Sequence, residues 1–138
     1  MNIMMLLTPK MSTGWIYDDF SLRQAVEKMT YYGFSAMPIV TGSGLYVGIL
    51  NQTDILAQMR KKQIITDSDL EKSYIEEIKE TKQRKAIKCC ATEEELIELI
   101  KNQNFAPVID DRGAYIGIIT RKKLIEYLYS KSTIKKEV

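Results

Sequence analysis

The sequence contains no histidine and only two cysteines, which stand next to each other at Cys89 and Cys90. The commonest general base and the commonest metal ligand are therefore both missing. Adjacent cysteines rarely form a structural disulfide because its geometry is strained, and no Cys-x-x-Cys spacing occurs. We interpret the pair as reduced thiols in a cytoplasmic protein, and we expect neither catalytic residues nor a metal site.

Long apolar runs are also missing. Residues 1–7 are mostly apolar, but Thr8-Pro9-Lys10 ends the run well short of the roughly 20 residues that span a bilayer. The run lacks the basic start and the small-residue cleavage site of a secretory signal. A formal net charge of +2 is too small to indicate a nucleic-acid partner. The sequence thus predicts neither a membrane nor a nucleic-acid partner.

The chain repeats itself. Residues 38–50 align with residues 107–119 without a gap, and a proline, a turn glycine, a tyrosine and a second glycine coincide. Each copy predicts a β-hairpin, because two aliphatic strands flank a turn rich in glycine or aspartate. Each hairpin runs into an amphipathic helix. A capping box at Ser21 or Thr92 predicts another helix before it, and a short extended segment precedes that helix.

Each half therefore predicts the order strand, helix, strand, strand, helix. The predicted fold class is α/β (α+β), with two pseudo-symmetric repeats packed sheet to sheet as one module. The boundaries we expect are a first repeat at 1–62, a connector at 63–82, a second repeat at 83–133 and a tail at 134–138. A cleft between two equivalent halves is a good place for a ligand.

The order and repetition of these segments resemble two CBS domains in series, known as a CBS pair or Bateman module, of the stand-alone bacterial type. The strongest matches are residues 35–40 and 48–56 in the first half, and 105–113 and 117–125 in the second. Pairs of this family typically bind adenosine-containing ligands such as AMP, ATP or S-adenosylmethionine, and some bind cyclic di-AMP. The resemblance implies a regulatory ligand sensor that needs no cofactor, forms a homodimer and signals to an effector protein.

The family motif reads glycine, two apolar residues, Ser or Thr, two variable residues, then Asp. It spans a strand end and the first turn of a helix, where free N–H groups and the helix dipole favour phosphate, and its Asp can accept both ribose hydroxyls. The first copy keeps Asp54 but has Asn51 in the hydroxyl position. The second keeps Thr120 but has Lys123 in place of the Asp. We therefore expect the first motif to bind a ribose and the second to bind phosphate.

The resemblance places the strand before the proline of one half opposite the motif of the other, so it implies two unequal sites. The residues expected at the first site are Ser35, Ala36, Met37, Thr120, Arg121, Lys122 and Lys123, with the segment near Lys10. Those expected at the second are Phe105, Ala106, Asn51, Thr53 and Asp54, with the segment near Ile87.

Three functions remain open. The leading one is a sensor of an AMP- or ATP-like nucleotide. Ser-Ala-Met-Pro combined with Thr-Arg-Lys is also similar to bacterial CBS proteins that bind cyclic di-AMP, which has two phosphates and no free ribose diol. The off-pattern Asn51 and Lys123 would fit a ligand-free dimerisation or interaction module.

Simpler explanations exist for the charged runs and the aromatic cluster. Arg121-Lys122-Lys123 also fits a solvated helix surface, and Lys82, Arg84 and Lys85 are interpreted as a solvated connector. The aromatic side chains at 15, 31, 32 and 34 are interpreted as core packing or a dimer surface.

Overall fold

The structure is a computed structural model that describes residues 2–137, with side chains described as far as Thr133. The strands are β1 (Thr8–Pro9), β2 (Ile16–Tyr17), β3 (Ala36–Val40), β4 (Tyr46–Asn51), β5 (Ile87–Lys88), β6 (Phe105–Ile109) and β7 (Tyr115–Thr120). The α-helices are α1 (Leu22–Tyr32), α2 (Gln52–Lys62), α3 (Asp67–Glu71), α4 (Glu93–Ile100) and α5 (Arg121–Glu137). Of the predicted tail, Val138 lies outside the described residues. No helix within residues 2–137 is long and apolar enough to cross a membrane.

The strands form two sheets, one for each half of the chain. The first has the order β2-β3-β4 and the second the order β1-β7-β6-β5. In both halves the short first strand pairs in parallel with the hairpin, whose own strands are antiparallel. The predicted order of strand, helix, strand, strand, helix is therefore confirmed twice.

Local sequence sets the helix ends where the capping patterns predicted them. The Ser21 side chain accepts a hydrogen bond from the backbone N–H of Gln24, and the Gln24 side-chain oxygen accepts one from the backbone N–H of Ser21. Thr92 and Glu95 form the same reciprocal pair at the start of α4. Helix α1 ends at Gly33, whose φ of 70° is in the left-handed region, where glycine costs least.

Each half of the molecule is covered by the segment that leads into the other half. Strand β1 joins the second sheet, and Ile3, just before it, is buried in the apolar core of the second half. The connector contributes Leu70, Ile75 and Ile78 to the core of the first half. These exchanged segments tie the two halves into one module, which neither half would form alone.

The two hairpins meet around a pseudo-twofold axis. The Tyr46 N–H donates to the carbonyl of Gly113 at 3.0 Å, and the Tyr115 N–H donates to the carbonyl of Gly44 at 2.9 Å. The hydroxyls of the same tyrosines also bind across the halves, Tyr46 to the Arg84 carbonyl at 2.7 Å and Tyr115 to the Thr13 hydroxyl at 2.8 Å. The two copies of the sequence repeat thus form equivalent hydrogen bonds with each other's halves.

These two tyrosines predict a loss of stability at alkaline pH. Burial raises the pKa of Tyr115 from 10.0 to about 12, and it also raises the pKa of Tyr46. In the unfolded chain both phenols ionise near their ordinary pKa, so unfolding releases protons and becomes easier as the pH rises. We expect the free energy of unfolding to fall from about pH 10 towards about pH 12.

Urea unfolding at a series of pH values tests this expectation. The variant Tyr115→Phe keeps the ring and removes the ionisable hydroxyl, so its alkaline loss should be smaller than that of the natural chain. An identical alkaline loss in the variant would contradict the assignment.

Candidate functional site

A cavity of about 290 Å³ lies between the two halves, where the start of β3 faces the end of β7. Its walls come from three parts of the chain: the N-terminal segment, the approach to β3 and the strands of the second half. The lining residues are Thr8, Ser12, Thr13, Gly14, Phe34, Ser35, Ala36, Pro38, Asn104, Phe105, Ile118 and Thr120. The lining combines aromatic and aliphatic surface with short hydroxyl side chains, and no acidic side chain of the described residues belongs to it.

Strand alternation decides which predicted residues reach this cavity. Side chains at successive strand positions point to opposite faces, so Ala36 and Pro38 line the cavity while Met37, between them, is fully buried in the core. In the second half Phe105 lines the cavity and Ala106 is buried. The side chains of Met37 and Ala106 therefore support the site from behind.

The loop before β2 is held in place at the cavity wall. The Thr13 hydroxyl donates to the Lys10 carbonyl at 2.8 Å and binds the Tyr115 hydroxyl. A Cβ at Gly14 would lie 2.5 Å from the Met37 terminal methyl and 3.4 Å from the Phe34 ring. A side chain at residue 14 would therefore require the Met37 methyl to shift.

The predicted phosphate motif lies at the junction of β7 and α5. Thr120 lines the cavity, and its hydroxyl accepts from the Lys123 N–H at 3.2 Å in a helix-capping contact. The Lys123 ammonium donates to the Thr8 hydroxyl at 2.9 Å, and Thr8 itself lines the cavity. A positive charge is therefore held at the rim, although it does not form part of the wall.

Arg121 contacts the protein rather than the cavity. Its guanidinium donates to the carbonyls of Ile100, at 2.8 Å, and Gln103, at 3.1 Å, where helix α4 ends. Carbonyls at a helix C-terminus have no partners within the helix, so this contact closes α4. The phosphate role expected of Arg121 stays a prediction, and it would require the side chain to leave these carbonyls.

A second, smaller cavity of about 130 Å³ occupies the pseudo-symmetric position. It is lined by Ala36, Ile49, Asn51, Arg84, Asn102, Gln103, Asn104 and Phe105. Three of these residues, Ala36, Asn104 and Phe105, also line the larger cavity, so the two cavities are neighbours in one cleft. This is where the sequence predicted the ribose site.

The Arg84 guanidinium binds the Asp54 carboxylate, which was predicted to bind the ribose. The guanidinium donates to both oxygens of Asp54, at 2.6 and 2.9 Å, and to the Ile49 carbonyl at 2.8 Å. Asp54 is 8% exposed and also accepts from the Asn51 N–H at 2.8 Å. The interpretation of Arg84 as part of a solvated connector is therefore wrong, because the side chain forms a largely buried, forked ion pair.

The remaining predicted residues lie away from both cavity walls in this structure. Ile87 is in the core of the second half, and the Lys10 ammonium lies 4.8 Å from the centre of the Trp15 ring. Thr53 and Lys122 are exposed on the first turns of α2 and α5. Their assignment to ligand binding stays a prediction. The described residues bring together no group of three metal-ligating side chains.

Sequence reasoning did not find Thr8, Asn104 or the Arg84–Asp54 pair. Asn104 could have been found, since the repeat aligns it with Ser35, and the carbonyls of both accept from the first N–H of the following helix. Thr8 belongs to β1, whose partner lies in the other half, so no local pattern marks it.

The family model of the CBS domain matches residues 14–61 and 91–130. The chain therefore belongs to the CBS domain family and carries two CBS domains in series, which confirms the resemblance and the fold class. No curated protein sequence matches the chain.

Solved structures extend this match over the whole chain. A CbpB in complex with c-di-AMP is 28% identical over 100% of this chain and 91% of its own, with a TM-score of 0.84. CbpB from Streptococcus agalactiae is 30% identical over 91% and 78%, with a TM-score of 0.77. CBSX2 in complex with AMP is 19% identical over 95% and 98%, with a TM-score of 0.75, which shows the shared fold alone.

Proposed function

We propose that the chain is a non-catalytic regulatory module that binds cyclic di-AMP in the larger cavity and passes the signal to an effector protein. The observation that carries the proposal is the lining of that cavity, which offers apolar surface and hydroxyl groups but, among the described residues, no carboxylate. A free ribose diol is recognised best by a carboxylate, and cyclic di-AMP has no such diol. The similarity to CbpB proteins, one of them in complex with c-di-AMP, supports the same ligand.

The polar groups around the cavity suit a phosphodiester. Thr8, Ser12, Thr13 and Ser35 contribute short hydroxyl side chains to the lining, and hydroxyl groups can donate to phosphate oxygens. The Lys123 ammonium at the rim is 2.9 Å from the Thr8 hydroxyl and adds a positive charge. The apolar part of the lining, with Phe34 and Phe105 from opposite halves, suits the flat face of an adenine.

Isothermal titration with cyclic di-AMP, AMP, ATP and S-adenosylmethionine tests the proposal. We expect cyclic di-AMP to bind at least about tenfold more tightly than the others, which is about 1.4 kcal/mol in binding free energy. Tighter binding of AMP or ATP would instead support the AMP- or ATP-like sensor. No binding to any of the four would overturn the proposal and favour a ligand-free interaction module.

The homodimer expected from the family resemblance is also a proposal here. Leu56 on α2 and Ile125 on α5 occupy matching positions in the two repeats, and they are 63% and 57% exposed. Each lies on an amphipathic helix that the sequence predicted to be apolar on one face. Apolar side chains left uncovered at equivalent positions support an interface with another subunit.

A further inference from the structure

We infer that Arg84 is a built-in occupant of the second nucleotide site, so that each chain binds one ligand rather than two. The inference rests on the proposed function for its first ligand, but its evidence is the geometry of the smaller cavity alone. The Arg84–Asp54 pair would then limit both the number of ligands that each chain binds and the class of nucleotide that the cleft accepts.

The ion pair already uses the carboxylate oxygens to which the hydroxyls of a ribose would donate. Both carboxylate oxygens of Asp54 accept from Arg84, and one of them also accepts from the Asn51 N–H. A diol that displaced the guanidinium would leave a positive charge without its carboxylate in a partly buried position, which is costly. The forked guanidinium–carboxylate pair also brings together two opposite charges, whereas the hydroxyls of a ribose are neutral.

The backbone around Arg84 is fixed, so the side chain stays close to Asp54. The Arg84 carbonyl accepts from the Tyr46 hydroxyl at 2.7 Å. The next residue, Lys85, is bound on both sides by the Gln103 side chain, which accepts from its N–H at 2.9 Å and donates to its carbonyl at 3.1 Å. An occupant held by the chain itself has a high effective concentration, with which a free nucleotide must compete.

The pseudo-symmetry shows why only one site is filled. Ile16 and Ile87 pair with the equivalent residues Ile39 and Val108, so the residues three positions earlier, Thr13 and Arg84, correspond. The short Thr13 side chain leaves the larger cavity open, whereas the long Arg84 side chain enters the smaller one.

A second pair of equivalent positions also differs in size. Ala36 and Phe105 correspond by the alignment of the repeat and pair with Asn51 and Thr120 in the two hairpins. Both residues line both cavities, so this pair does not distinguish the two sites. The open site and the filled site therefore differ through Thr13 and Arg84.

Titration of the natural chain gives the first test. We expect one cyclic di-AMP per chain and no saturable site for AMP at Asp54. Two ligands per chain would overturn the inference while leaving the proposed function intact. This measurement needs no variant and is therefore independent of any effect of substitution on folding.

The second test opens the site. In Arg84→Ala the carboxylate of Asp54 is released, and we expect an AMP site to appear with affinity at least about tenfold above the natural chain. The double variant Arg84→Ala with Asp54→Ala should lose that gain, and the affinity for cyclic di-AMP should change by less than about threefold in Arg84→Ala. Arg84→Gln is measured in parallel, because its amide keeps part of the packing if the alanine variant does not fold.

Arg23→Ala is the matched control, since Arg23 forms exposed ion pairs with Glu27 and Glu71 and none of the three lines either cavity. It should change neither the number of ligands nor their affinity. A folded Arg84 variant without a new AMP site would overturn the inference, as would a tenfold loss of cyclic di-AMP affinity. If the natural chain binds no nucleotide, the proposed function fails, but the AMP titration of the Arg84 variants still decides whether Arg84 closes a site.

Discussion

The variant Gly117→Ala is expected to lower the free energy of unfolding by about 3 kcal/mol. An added Cβ would overlap the Thr8 carbonyl and lie 2.9 Å from the terminal methyl of Leu7. The φ of Gly117 is 153°, which also disfavours any other residue. Strand β1 pairs with β7 at this point, so relief of the clash requires the N-terminal segment to move away from the second sheet. Urea unfolding followed by circular dichroism measures the change.

Gly48→Ala tests the equivalent position in the first half. There an added Cβ would overlap the Thr81 carbonyl and lie 3.2 Å from the Lys82 nitrogen, so we expect a loss of similar size. Gly42→Ala is the matched control, because nothing lies within 4 Å of an added Cβ at Gly42. Its effect should stay within about 0.5 kcal/mol. Equal losses in all three variants would show that the crossing segments are not the cause.

The positions of Gly48 and Gly117 explain why a second glycine coincides in the two copies of the repeat. They occupy matching positions in the repeat, but neither lies in a hairpin turn. Each makes room for the backbone that leads into the other half, Thr8 at Gly117 and Thr81 at Gly48. The second glycine of each copy therefore marks where an exchanged segment crosses the sheet.

The parts of the fold that depend on neighbouring residues could be predicted. The capping boxes at Ser21 and Thr92, the stop at Gly33 and both hairpins are properties of short segments, and the structure confirms them. The exchange of segments between halves could not be predicted in this way. The exchange depends on contacts between residues that are far apart in the sequence, and patterns within short segments do not indicate such contacts.

The site was partly predictable for the same reason. The repeat located the cleft, and Ser35, Ala36, Phe105 and Thr120 line the larger cavity. Strand alternation could also have placed the Met37 side chain in the core, since it stands between two residues that face the cavity. The pairing of Arg84 with Asp54, thirty positions away, has no counterpart in the other repeat and therefore left no trace in the alignment.

The variant Ala36→Phe is expected to weaken the binding of cyclic di-AMP by about a hundredfold or more, which is about 2.7 kcal/mol in binding free energy. It adds a ring to the wall of the larger cavity, which Phe34 and Phe105 already line, and so takes up space that the ligand needs. Ala36 lines both cavities at the start of β3, and phenylalanine is well suited to a strand. We therefore expect the fold to survive.

The conservative variant Ala36→Ser separates filling of the cavity from a general disturbance of β3. Serine adds one oxygen and leaves most of the space open, so its affinity should stay within about fivefold of the natural chain. Titration of both variants with cyclic di-AMP, alongside their thermal unfolding, completes the comparison. A folded Ala36→Phe variant that binds cyclic di-AMP as tightly as the natural chain would place the ligand elsewhere. Loss of binding in Ala36→Phe alone would mean that the ligand needs the space that alanine leaves at this position.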